Sequence, residues 1–324
     1  MHIFITGGCG FIGSNLAEYH LTKGDEVHVI DNLSTGTLQN IASFKNHPAF
    51  RFDEADVLTW PDLGKTAQWA DRVYHLAAIV GMFKAVSNPI SLISNNIFSC
   101  RHLLHTISEI GAKPLIIIAS SSSVYGDNPK HLLNEKDNLI IKPPTHPLAT
   151  YTISKLSDEI IALAYYHESH LPIIVVRPFN TIGPRQTGRY GMVVPRFVKQ
   201  ACRKEPFSIF GDGRQTRSFC DVRDVIFALD LLANESQSIG QIINVGNDRE
   251  ISINDLALLI CECIGYKNPS NYLSYKEAYG VEFTDITQRR PDLSKLHSLI
   301  TFKHQWSLEQ TIHNLISIYR NSGV

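Results

Sequence analysis

The chain has almost no net charge: 30 Lys and Arg stand against 31 Asp and Glu, a formal balance of -1. It therefore lacks the field that nucleic acid or an anionic membrane surface would call for, and any phosphate it holds must be met by local arginines. No apolar run approaches the roughly 18 residues that span a bilayer. The opening HIFIT is preceded by no basic segment and apolar core of the signal-peptide kind. The six cysteines, Cys9, Cys100, Cys202, Cys220, Cys261 and Cys263, show no framework spacing. The C-x-C at 261–263 has no second Cys or His pair beside it and reads as packing, so no metal is expected. Reduced thiols in a cytoplasmic setting are the expectation. Internal repeats and low-complexity stretches are missing too. What remains is ordinary for a globular protein, 44% hydrophobic and 19% charged over 324 residues, enough for one large domain and a smaller appendage.

The first 180 residues alternate short apolar runs with longer amphipathic ones. His2–Thr6, Glu26–Ile30, Phe50–Phe52, Arg72–Ala77, Leu115–Ala119 and Ile173–Val176 read as buried strands. Phe11–Lys23, Leu92–Ile110 and Tyr151–Ser169 read as helices between them. Such alternation predicts βαβ units, hence an α/β, doubly wound (Rossmann), mostly parallel sheet with helices on both faces. After Pro178 the pattern turns irregular, and Gln241–Val245 reads as a strand rejoining the sheet. The expected division is a dinucleotide-binding domain over 1–178, joined again by 215–246. A discontinuous C-terminal substrate lobe takes 179–214 and 247–324.

The strand HIFIT runs into GGCGFIG, whose Gly7, Gly10 and Gly13 permit a tight turn, close approach to a pyrophosphate and close helix–strand packing. The helix that follows offers free N–H groups and the positive end of its dipole to the anion. About 20 residues on, Asp31 ends the second strand, where a carboxylate accepts hydrogen bonds from ribose hydroxyls. Asn32, Leu33 and Ser34 bring no positive charge for a 2′-phosphate, so NAD is expected rather than NADP. Asp56 follows the third strand and is placed to meet the adenine, an ordinary surface carboxylate being the competing reading.

Tyr151 and Lys155 in TYTISK lie four residues apart on one face of a helix. An ammonium beside a phenol favours the phenolate and makes an acid/base usable near neutral pH. Y-x-x-x-K alone is common by chance; together with a dinucleotide loop it points to an enzyme.

GGCGFIG, DNL at 31–33, HLAA at 75–78, SSSSVYG at 120–126, YTISK and RPFN at 177–180 resemble, in order, the extended short-chain dehydrogenase/reductase family. More narrowly they resemble its NAD-dependent nucleotide-sugar epimerases and dehydratases. The resemblance implies bound NAD, a nucleotide-sugar substrate (a UDP-sugar) and a homodimer built from the Leu92–Ile110 and Tyr151–Ser169 helices. It implies that Ser121, Tyr151 and Lys155 are catalytic, with Ser121 bonding the sugar oxygen that is oxidised. The cofactor would be held by Gly7, Gly10, Phe11, Ile12 and Gly13, then by Asp31, Asn32, Ser34, Thr35 and Gly36. Asp56, Val57, Leu76, Ala77, Ala78, Lys84, Asn96 and Phe179 would complete its site, with Tyr151 and Lys155. Ser121, Ser122 and Asn180 would meet the sugar or its phosphate. Arg217 and Arg289 would clamp the pyrophosphate, an arginine fork bonding two phosphate oxygens at once. Alternation along an extended chain lets one of Arg289 and Arg290 face the pocket. Arg185 and Arg189 fall in an expected substrate loop, and His75 reads as a packed framework residue.

All such enzymes begin by oxidising C4 of the sugar. In the family a 4,6-dehydratase carries Asp-Glu directly after the catalytic hydroxyl, and a glucuronate decarboxylase a glutamate two positions after it. This chain has Ser122 and Ser123 there, neither able to remove a C5 proton. The expected reaction is therefore 4-epimerisation. A dehydratase or decarboxylase using groups from elsewhere in the chain is the alternative, and a catalytically idle NAD-binding protein the reading from another class.

Overall fold

A computed structural model describes residues 1–188, 191–282 and 285–321. The sheet strands are β1 (His2–Thr6), β2 (Glu26–Asp31), β3 (Phe50–Glu54), β4 (Arg72–His75), β5 (Leu115–Ala119) and β6 (Ile173–Pro178). The chain then forms β7 (Thr181–Ile182), β8 (Phe207–Phe210), β9 (Thr216–Ser218), β10 (Cys220–Asp221), β11 (Ile242–Val245), β12 (Glu250–Ser252) and β13 (Ser270–Leu273). The central sheet is seven-stranded, ordered β11-β6-β5-β4-β1-β2-β3, and every pairing in it is parallel. Its order reverses beside β1, the crevice where doubly wound sheets bind ligands.

Period-2 alternation drives both layers. Ile3 and Ile5 of β1, with Ile174 and Val176 of β6, enter one core, while Phe4, Ile173 and Val175 enter the other. The first face is covered by α1 (Phe11–Thr22), α7 (Val222–Ala233) and α10 (Ser294–Leu299). The second is covered by α2 (Leu63–Trp69), α4 (Pro89–Glu109) and α5 (Pro147–Ser169), with the short α3 (Met82–Ser87) beside them. Both long helices begin earlier than their apolar periodicity suggests. Pro89 and Pro147 occupy the first turn, where the missing N–H leaves no bond unmade. Tyr151 thus sits in the second turn of α5 rather than at its start.

β4 also ends two residues before the expected Ala77. Leu76 N–H still reaches Thr6 O at 3.1 Å, but Ala77 N–H turns to the Thr6 side chain at 3.3 Å, lifting the chain over the glycine turn. A third core gathers α6 (Val193–Cys202), α8 (Ile253–Ile264) and α11 (Leu308–Asn321) around Phe197, Phe207, Leu256 and Ile312. The parallel pair β8–β13, the antiparallel pair β9–β12 and α9 (Tyr275–Tyr279) complete this part. No helix among the described residues is long and apolar enough to cross a membrane.

Candidate active site

One cavity of about 560 Å³ runs across the carboxyl ends of the strands into the irregular C-terminal part, the size expected of a small-molecule site. At one end lies the turn between β1 and α1. Gly7 has φ +74°, and a Cβ there would stand 2.7 Å from Ala77 N. On Gly13 a Cβ would overlap the Gly7 carbonyl oxygen. Gly10, Phe11 and Ile12 line the same wall, and the first turn of α1 carries no acidic side chain to compete for its N–H groups.

Asp31 closes β2 at 8% exposure. It accepts from Cys9 N–H at 3.0 Å and Leu33 N–H at 2.8 Å; burial raises its pKa and these amides oppose the rise. Asp56 accepts from the Asn32 side chain at 2.7 Å. Asn32, Ser34, Thr35, Val57, Leu76, Ala77, Ala78 and Phe179 complete this wall. Asn96, 1% exposed, lines the cavity and clamps the loop after β4. Its side chain accepts from Ile79 N–H at 2.8 Å and donates to Ser154 Oγ at 3.1 Å. A glycine cradle, amide donors and a buried acceptor together fit a dinucleotide: the N-terminal turn of α1 for its pyrophosphate, Asp31 for its ribose.

Midway along the cavity Ser121 caps the single turn Ser122–Tyr125. Its Oγ accepts from Ser123 N–H at 3.1 Å, which leaves its own proton to donate into the cavity. Ser120, by contrast, donates to Glu159 at 2.5 Å, so it serves the framework. Thr152 Oγ1 bonds Ser123 O at 3.3 Å and locks α5 to this turn. Ser121, Ser122, Tyr151 and Lys155 all line the cavity. Lys155 Nζ, 4% exposed with its residue, donates to Ala119 O at 2.9 Å and Asp158 at 3.0 Å. Asp158 and the nearby Tyr151 raise its pKa against burial, which acts the other way. His75 is 2% exposed and bonded to Thr6 Oγ1 at 2.8 Å; burial and Lys155 push it down to about 3. It is a neutral strut.

Beneath this floor a buried pair braces α5 against β6. Arg177 forks onto Glu159 with two bonds of 2.8 Å, and its guanidinium lies 4.7 Å from the Tyr125 ring centre.

The far end is cationic. Arg217 of β9 donates to Asp285 at 2.7 Å and to Thr216 O at 2.8 Å. Arg289 lines the cavity with a buried Nε that has no hydrogen-bond partner among the described residues. Burial, then the neighbouring Arg217, pushes its pKa down to about 10. Its neighbour Arg290 points elsewhere, onto His131 at 3.2 Å and towards Asp248 at 3.8 Å. Asn180 lines the wall between, donating to Ser218 O at 3.3 Å.

Three expected positions fall outside the cavity lining. Arg185 does not reach it: its backbone turns at φ +69°, and its guanidinium bonds Glu18 at 2.8 Å and Ser14 O at 3.2 Å on α1. Glu18 and the Ser14 carbonyl hold it against α1, away from the substrate role that its loop position suggested. Gly36 backs the Asp31 carboxylate, where a Cβ would sit 2.7 Å from Oδ2. Lys84 rides on α3, whose neighbouring Gly81 and Ala85 line the cavity while Lys84 does not. Arg189 lies outside the described residues.

The sequence reading missed Arg196, which lines the cavity and stacks 3.8 Å from the Phe210 ring centre. Burial takes it down to about 10. Lys142, Tyr275, Tyr279 and Asp285 also line the wall. A charged residue on the apolar flank of VVPRF was the signal for Arg196; the other four carry none.

Comparison with known proteins identifies the family. The model of the NAD dependent epimerase/dehydratase family matches residues 3–246. The chain is 32% identical to UDP-glucuronic acid decarboxylase 1 of Arabidopsis thaliana, over 99% of this chain and 70% of that protein. It superposes on the UDP-glucuronic acid 4-epimerase of Bacillus cereus, solved with UDP-glucuronic acid and NAD. That match has TM-score 0.88 and 31% identity and covers 99% of this chain and 100% of the other. The UDP-N-acetylglucosamine 4-epimerase of Methanobrevibacter ruminantium M1 gives TM-score 0.88 at 30% identity, covering 100% and 99%. The chain belongs to the NAD-dependent epimerase/dehydratase family and is an enzyme that uses NAD.

Proposed function

We propose that this enzyme is a nucleotide-sugar 4-epimerase acting on a UDP-sugar. One observation carries the choice among the family's reactions. Of the described residues lining the cavity, three bear carboxylates, Asp31, Asp56 and Asp285. Asp31 and Asp56 lie at the cofactor end, and Asp285 is tied to Arg217. The turn after β5 presents the hydroxyls of Ser121, Ser122 and Ser123, and no second acid/base of the kind that dehydration or decarboxylation needs.

Tyr151 takes the proton of the C4 hydroxyl, with the Lys155 ammonium holding the phenolate form, and Ser121 donates to the same oxygen as charge develops there. NAD, when bound, accepts the C4 hydride and returns it. Arg217 and Arg289 grip the diphosphate while the 4-keto sugar turns its other face, and Tyr151 then returns the proton. Ser122 and Asn180 contact the sugar between these ends. Ile90 and Phe98 of α4 and Ile153 and Ile160 of α5 are exposed, and we assign these two helices to contact with a second copy of this chain, as the family resemblance implies. Sedimentation should find a dimer.

The UDP-glucuronic acid decarboxylases among the relatives keep a second reading in play, and product analysis decides. Incubation with UDP-glucose, UDP-N-acetylglucosamine and UDP-glucuronic acid should interconvert 4-epimers of one of them. Replacing Tyr151 by Phe should abolish that turnover and leave NAD bound. Release of CO2, or accumulation of a 4-keto-6-deoxy sugar, would end the epimerase reading.

A further inference from the structure

Asp158 stands one turn beyond Lys155 on α5, 1% exposed, with Oδ2 3.0 Å from Lys155 Nζ. Its other oxygen, Oδ1, is buried without a hydrogen-bond partner among the described residues. A buried ion pair with an unsatisfied oxygen is a poor device for stability, because desolvation of both charges offsets their attraction. The adjacent carboxylate, Glu159, shows how a structural pair looks here, with bonds to Arg177 and Ser120 on both oxygens. Asp158 instead meets the Lys155 ammonium and the Cys100 thiol of α4, with Oδ1 left over.

We propose that Asp158 is a positioning residue for the acid/base pair: its carboxylate keeps the buried Lys155 charged and sets the pH range over which Tyr151 works. The proposal rests on the reading of Tyr151 and Lys155 above. Buried lysines otherwise release their protons readily, and Asp158 is the carboxylate bonded to this ammonium. Other groups that act on the pair are Tyr151 and Glu159 on α5, Cys100 on α4 and His75 at the end of β4. The Cys100 thiol is held protonated by burial and by Asp158. α3 carries Lys84, and Arg177 of β6 is committed to Glu159.

Removing a negative charge from this spot makes it easier for Lys155 to lose its proton. In Asp158→Asn the limb of the pH–rate profile set by the lysine should therefore move to lower pH, by about one unit or more, given the ~1–3 units an adjacent charge exerts. Asp158→Ser, which removes the charge without adding volume, should behave alike. A loss of rate at every pH, with that limb in place in both variants, would overturn the proposal and leave the dyad intact. Turnover in Tyr151→Phe would sink the dyad and this proposal together.

Discussion

Replacing Arg289 by Met should make the ligand-free protein more stable and the enzyme worse. Its guanidinium lines the cavity with a buried Nε that has no hydrogen-bond partner among the described residues and is pushed down to about 10, from an ordinary value of roughly 12.5. Each pH unit of displacement is worth about 1.4 kcal/mol, so holding this charge costs the free protein about 3 kcal/mol, an upper figure because the stem also packs. For a base depressed on folding, the cost is full below about pH 10 and fades as pH rises through and beyond that value. An assay at neutral pH sees all of it. On the proposed function the diphosphate of the substrate supplies the missing anion, and charge-assisted hydrogen bonds of this kind contribute about 1.5–3 kcal/mol. Urea titration of Arg289→Met should show a gain of about 1–3 kcal/mol without ligand. UDP, which adds about 2.7 kcal/mol at a hundred times its Kd, should stabilise the variant far less at the same concentration, its Kd rising roughly 10- to 150-fold. A variant less stable than wild type, or one that binds UDP equally well, would refute the reasoning.

Gly13→Ala should lose NAD by at least tenfold, followed by cofactor fluorescence after gel filtration. The new methyl meets the Gly7 carbonyl, a backbone atom that cannot move without opening the turn. Arg177→Met should cost about 3–5 kcal/mol in urea unfolding, since it strands Glu159 at 2% exposure. The double variant Glu159→Leu with Arg177→Met should recover more than half of that; losses that simply add would show the pair to be independent.

Much of the fold was legible along the chain because local patterning and tertiary demand agree in a parallel sheet. Strands buried on both faces must read as short apolar runs, and His2–Thr6, Leu115–Ala119 and Ile173–Val176 do, the last extending in the structure to Pro178. The glycine turn, Asp31 and the Tyr151–Lys155 spacing were legible for the same reason: each is a local geometry that few residue types satisfy. Helix starts were less so, since Pro89 and Pro147 look like breakers until their first-turn positions are known.

The C-terminal arginines mark the boundary of what a linear reading reaches. Arg185, Arg217, Arg289 and Arg290 sit in similar polar, irregular stretches, yet Arg185 ends on Glu18 of α1 and Arg290 on His131, while Arg217 and Arg289 line the cavity. Arg196 joins them by stacking on Phe210, a partner from another element. Asp158 differs: it lies within one helical turn of Lys155 on α5, and what the packed structure adds is the burial of both side chains. The order of residues therefore determined by itself the sheet, the glycine turn and the Tyr151–Lys155 spacing, all of which depend on neighbours within one strand or helical turn. Which charges converge on the cavity, and which are neutralised outside it, depended on side chains brought together from distant elements, and only the packed structure decided that.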